Sequence, residues 1–176
     1  MLIVPNAPSF LLLPIGRLWN GGKCPDFRLS SFVELQKNDK GLLVKTTTSS
    51  FPGYKKDQTQ KEIEASERIC FFIVDDDGQY LEVVLSIDGR FTVSGFDGPN
   101  QKVADFNNVA FETNHKEEDN GKILNEIIIP PDLLPSKLSA LNVFLVAGGQ
   151  VLAYHPLPGA EPNLHQPESF PLAKIE

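Results

Sequence analysis

Three strand-length runs joined by two Asp-Gly turns occupy the middle of the chain and leave it little freedom in how to fold. Ile69–Val74 reads Ile-Cys-Phe-Phe-Ile-Val and is followed by Asp75-Asp76-Asp77-Gly78. Gln79–Ser86 reads Gln-Tyr-Leu-Glu-Val-Val-Leu-Ser, then come Ile87-Asp88-Gly89 and the run Arg90-Phe-Thr-Val-Ser-Gly-Phe96. Asp-Gly between runs rich in β-branched and aromatic residues is a strong local signal for a hairpin. The meander predicts an antiparallel sheet, and no set of residues within it has the pattern of a catalytic centre.

Strand signals recur on both sides. Leu29–Gln36 alternates around Phe32, Val33 and Leu35, a turn follows at residues 37–41, and Leu42–Thr48 carries three consecutive β-branched threonines. Val109–Asn114, Ile123–Ile129, Leu141–Ala147 and Val151–His155 read as further strands, the last two joined by Gly148-Gly149. Asn100–Asn108 reads as a loop, and the polar stretch Ser49–Glu67 as solvent-facing chain with almost no apolar face for a helix. Five prolines between Pro156 and Pro171 require an extended tail lying over the body, with Leu172–Ile175 closing an edge. Short strands at this spacing, without a convincing amphipathic helix, predict an all-β fold. The expectation is a single antiparallel β-sandwich over residues 1–176, of jelly-roll or immunoglobulin-like kind, with 156–176 as its proline-rich tail.

Size and charge narrow the function. At 176 residues one domain can bury about 70% of its unfolded surface, so neither a metal nor a disulfide is needed for stability. A net charge of −7 offers no broad positive field for phosphates, which argues against nucleic acid as a partner. The apolar patch Phe10–Ile15 is broken by Pro14 and far shorter than the roughly 20 residues of a membrane span, and no basic residue precedes Arg17. A cytoplasmic protein that binds no membrane and no cofactor is the expectation. Cys24 and Cys70 do not amount to a secreted disulfide framework, and Cys70 reads as a core residue.

Four segments carry a family resemblance across almost the whole chain. They are Leu18-Trp19-Asn20-Gly21 with Phe32-Val33-Glu34-Leu35; Phe71–Val74 with Gln79–Val83; Asn125–Pro130 with Leu133-Leu134; and Tyr154–Pro158 through Pro162-Asn163-Leu164-His165 to Phe170. In this order they resemble the DOMON-like β-sandwiches, which include the family-9 carbohydrate-binding modules and an uncharacterised family related to them. The resemblance implies a sugar-binding domain. It also implies a tryptophan and an acidic residue as a sugar clamp at positions that correspond here to Ile63 and Ile69. An aliphatic side chain neither stacks flat on a pyranose nor bonds its hydroxyls, so the implied site is degenerate.

The candidate ligand-binding residues are Trp19, Asn20, Tyr54, Tyr80, Glu82 and His155, on one sheet face and the loops beside it. Against a binding role, Trp19 can simply lid the sandwich, and Asp75-Asp76-Asp77-Gly78 lacks the ligand spacing of a calcium loop. His155 and His165 match no zinc pattern; Tyr154 and His155 are expected to anchor the tail by hydrogen bonds to backbone groups, and His115 is expected to be exposed in a charged turn. Three functions follow in order: a non-catalytic carbohydrate-binding-type domain, a protein-interaction module without a small ligand, and a small glycosidase-type hydrolase using Glu82 or the His155/His165 tail.

Overall fold

The computed structural model describes residues 1–24, 26–29, 31–49, 63 and 66–176. The strands among them are β1 (Leu2–Val4), β2 (Leu11–Ile15), β3 (Arg17–Leu18), β4 (Ser31–Asn38), β5 (Gly41–Ser49), β6 (Arg68–Asp75), β7 (Tyr80–Ser86), β8 (Phe91–Phe96), β9 (Lys102–Asp105), β10 (Glu112–Glu117), β11 (Lys122–Ile129), β12 (Leu138–Ala147), β13 (Gln150–Ala153) and β14 (Ala173–Ile175). They form a β-sandwich of antiparallel sheets, as the alternation predicts. The five-stranded sheet runs β10-β11-β5-β4-β2 and the seven-stranded sheet β3-β13-β12-β6-β7-β8-β9. A parallel pair, β1 with β14, lies at the seam, where β1 reaches the end of β4 and Leu172 bridges to Ala140 of β12. No helix among the described residues is long and apolar enough to cross a membrane.

The meander takes a specific form. Both Asp-Gly turns close three-residue loops: Asp75 N–H donates to Gln79 O at 2.9 Å, and Ser86 N–H to Arg90 O at 2.8 Å. The third loop residue of each, Gly78 (φ +85°) and Gly89 (φ +89°), takes the left-handed conformation that glycine enters without steric cost. Asp75 stiffens the first turn, its Oδ1 accepting from the N–H groups of Asp77 and Gln79 at 2.9 and 2.8 Å.

Two stretches differ from the sequence expectation. The 100–108 segment contains β9, and the strand expected at Val109–Asn114 lies instead at Glu112–Glu117, so His115 sits in a strand rather than a turn. All six residues of β10 are exposed, so it carries no apolar alternation to announce it. The expectations for Tyr54 and for most of 49–67 lie outside the described residues.

The core has two layers. Between the sheets, Leu13, Ile15, Val33, Leu35 and Ile127 meet Phe71, Ile73, Val83, Val143 and Leu145, all essentially inaccessible to solvent. The opposite face of the seven-stranded sheet is apolar too. Cys70, Phe72, Val74, Phe144, Tyr80 and Phe96 form a second buried cluster there, covered by Leu157, Leu164 and Phe170 of the tail. This explains the unbroken apolar run of β6, since a strand buried on both faces has no polar face to alternate with. The rings interlock: Phe72 meets Phe144 edge-on at 5.7 Å, and Phe170 packs 5.5 Å from Phe72.

The tail is held by a buried amide. Asn142 is inaccessible to solvent. Its Nδ2 donates to His155 O at 2.9 Å, and its Oδ1 accepts from His155 N–H at 3.1 Å. Leu157 N–H donates to Trp19 O at 2.7 Å just beyond. The anchor that the sequence suggested for His155 is therefore made by its backbone, with Asn142 as the partner.

Truncating Asn142→Ala leaves the His155 amide and carbonyl unpaired beside the core, at a cost of about 1–3 kcal/mol. Truncating Phe72→Ala opens a cavity under the tail and costs about 3–5 kcal/mol. Urea unfolding should rank the variants in that order, and limited proteolysis should cut the tail of both faster than that of the wild type.

Candidate functional site

The tail does not cover the outer face of the seven-stranded sheet completely. Between its Pro162–His165 stretch and the strands lies a cleft of about 360 Å³, floored by Arg68 and Cys70 of β6, Glu82 and Val84 of β7, Val146 of β12 and Val151 of β13. This size falls within the roughly 300–1,000 Å³ of small-molecule sites. Register brings the groups together: Arg68 lies opposite Ser86, Cys70 opposite Val84 and Phe72 opposite Glu82, so Arg68 and Glu82 share the outer face with the aromatic cluster. The tail contributes Asn163, Leu164 and His165 from above.

His165 is the hinge of the arrangement. Its ring lies 5.4 Å from Phe72, nearly perpendicular to it, and 4.9 Å from Phe96. Nδ1 is 2.8 Å from the Tyr80 hydroxyl, and Nε2 is 4.0 Å from Glu82 Oε1. The carboxylate on the Nε2 side favours a proton there, so Nδ1 accepts from the Tyr80 O–H while Nε2–H faces Glu82 and the cleft. Tyr80 is consistent with a donor role: burial pushes its phenol pKa above the ordinary 10, and its oxygen accepts from Asn100 N–H at 3.3 Å. Burial pushes the His165 imidazole pKa below its usual 6.5, which keeps the ring neutral at pH 7. The cleft thus presents an anionic acceptor, a guanidinium, an amide and an imidazole N–H above an aliphatic floor.

The residues singled out from sequence are distributed unevenly around it. Glu82 lines the cleft. Tyr80 is buried, stacked on Phe96 at 4.8 Å with the rings 3° from parallel, so it orients His165 rather than offering an open face. Trp19 is partly buried against the second cluster, and its backbone N–H donates to Val151 O at 2.9 Å. Asn20 is exposed, its Oδ1 accepting from Gly22 N–H, and the His155 side chain is exposed as well. The two positions of the implied clamp do not share a surface: Ile69 points between the sheets, whereas Ile63 belongs to the outer cluster.

Arg68 and Asn163 are not among the sequence candidates, and His165 enters them only through the alternative hydrolase. The signal for Arg68 was its phase, since it alternates with Cys70 and Phe72. Nothing local distinguishes His165 from His155, because only the path of the tail separates them.

The low pKa of His165 sets a pH dependence. The protonated ring is disfavoured in the folded state, so its contribution is complete above about pH 6.5 and declines as pH falls through 6.5 toward the depressed folded value. Urea midpoints measured from pH 7.5 to 5 should fall with acidification, and His165→Gln should flatten that slope. An unchanged slope in the variant would contradict the assignment.

Comparison with known proteins adds the fold's relatives. No protein-family model matches the chain. None of the curated proteins matches it either. Among solved structures, one described as "a putative carbohydrate-binding protein from Bacteroides uniformis ATCC 8492" superposes with a TM-score of 0.70 at 10% sequence identity, over 100% of this chain and 98% of that one. At that identity the likeness is one of fold, and it extends over the whole of this chain.

Proposed function

We propose that this chain is a carbohydrate-binding domain without catalytic activity, and that its ligand occupies the cleft beneath the tail. The observation that carries this reading is the convergence of Glu82, Arg68, Asn163 and the His165 Nε2–H over Val84, Val146 and Val151. A sugar hydroxyl both donates and accepts: the carboxylate takes its proton, while the guanidinium and imidazole donate to its oxygen. The aliphatic floor matches the C–H face of a pyranose. The full-length likeness to a protein described as carbohydrate-binding supports the same class. One feature supports binding without cleavage. Glycoside hydrolysis uses two carboxyl groups about 5–10 Å apart, and Glu82 is the one carboxylate among the described residues that line the cleft. DOMON-like kinship, and a site that has lost its aromatic clamp, belong to this proposal. Affinity would then come from hydrogen bonds more than from stacking.

The test is a glycan array followed by calorimetric titration of the best hit. Saturable binding is expected, and Glu82→Ala should weaken it at least about tenfold, in line with roughly 1.5–3 kcal/mol for a hydrogen bond to a charged group. A Glu82→Ala protein that folds normally and binds as tightly as the wild type would remove the cleft from consideration.

One observation favours a second reading, a protein-interaction module. Phe10, Leu12 and Phe32 are 55%, 46% and 42% exposed. Phe32 lies opposite Pro14 and Leu12 opposite Glu34 at the β2 edge of the five-stranded sheet, so the strip is contiguous. Under that reading the array is silent, and self-association or partner binding seen by sedimentation is lost in Phe32→Ser.

A further inference from the structure

The two sheets do not close on each other everywhere. Along the inner face of the seven-stranded sheet one row of cross-strand neighbours reads Ile73, Leu81, Gly95, Ala104, running from β6 to the edge strand β9. Side-chain volume along that row shrinks toward the edge. Phe106 fills part of the loss, its Cε2 lying 3.3 Å from where a Cβ on Gly95 would sit. Beside it lies a recess of about 230 Å³, bordered by Leu133, Leu134 and Pro135, with Val103, 67% exposed, at its rim. The recess opens to solvent, so a small ligand can enter it without parting the sheets.

We propose that this gap is a second binding site, distinct from the cleft under the tail, for a small molecule bearing one aromatic ring and a neutral or cationic polar end. Volume selects the ring: an apolar cavity of about 150 Å³ admits benzene, and the additional space here accommodates a short substituent. The Phe106 ring lies against Gly95 and, with Leu133 and Leu134, gives the recess apolar walls suited to a ring. Charge selects the polar end. Asp75 is the one carboxylate or basic residue among the described residues lining the cavity, and its Oδ1 already accepts two backbone N–H bonds. Gln79, also lining it, donates to Asp97 Oδ1 at 2.9 Å, so a second carboxylate stands close to the same turn. A carboxylate-bearing ligand would place its charge against Asp75, whereas an alcohol or ammonium would not.

Ligand-observed NMR titration of the full chain with benzyl alcohol, benzylamine and benzoate tests this. The alcohol and the amine are expected to bind saturably and to compete with each other, with benzoate at least about tenfold weaker. Ala104→Leu, which fills the gap from the exposed edge strand, should weaken the alcohol and the amine about tenfold. Leu134→Trp, which fills it from the opposite side, should do the same if the first variant folds poorly. Asp75→Asn retains the Oδ1 that caps the turn and should narrow the gap between benzylamine and benzoate. Lack of saturation by any probe at millimolar concentration, binding indifferent to both filling variants, or benzoate binding as tightly as the amine would overturn the proposal. Sugar titration through Glu82 is read separately from either outcome, because the two sites share no lining residue.

Discussion

Phe72 has no access to solvent although its side chain points away from the other sheet, and the architecture follows from that fact. In a two-layer sandwich the outer faces are solvated and tolerate polar residues. Here the outer face of the seven-stranded sheet carries Phe72, Phe144, Tyr80 and Phe96, which must be covered. The tail supplies the cover, and because five prolines cannot donate backbone bonds, it is held at discrete points rather than by a ladder. Asn142 grips His155, Trp19 receives Leu157, and Phe170 and His165 insert among the rings. A third layer is thus built from a segment with almost no regular structure.

The same economy creates the cleft. A tail pinned at its two ends and packed by its apolar residues arches where Pro162 and Asn163 stand exposed, and the space beneath the arch lies over the polar end of the face. His165 belongs to both regions: its ring edges pack on Phe72 and Phe96, and its two nitrogens address Tyr80 and Glu82. A neutral imidazole serves this double role better than a charged one, since one nitrogen must accept while the other donates.

Much of the fold could be read from the chain because it is written locally. The Asp-Gly loops, the Gly148-Gly149 turn and the β-branched runs each state their conformation within a few residues, and the structure places strands there. What escaped was of two kinds. β9 and β10 are edge strands with mostly exposed side chains, so their pairing is recorded in backbone hydrogen bonds and not in hydrophobic periodicity. The path of the tail depends on a long-range fit: prolines declare an extended conformation without declaring what it lies on. The unbroken apolar run of β6 did hold the clue, since burial on both faces requires a second covering layer. The site was legible to the extent that strand phase reveals it, which singles out Glu82 but not His165. The correspondence of Ile63 and Ile69 to a sugar clamp came from motif order alone, and the sheet sends the two side chains to opposite faces.

The exposed strand β10 has a use that its lack of core contacts conceals. Its residues Glu-Thr-Asn-His-Lys-Glu pair along β11, whose Ile123, Ile127 and Ile129 are buried. Without that hydrophilic border, the open backbone of an isoleucine-rich strand would template sheet growth from one molecule to the next. A charged ribbon with nothing to bury is a poor invitation to a further strand, and its Lys40–Glu112 ion pair ties it back to the β4–β5 turn. β10 is in effect a guard rail against fibrillisation, and its contribution would be read in colloidal behaviour during refolding at high concentration more than in melting temperature.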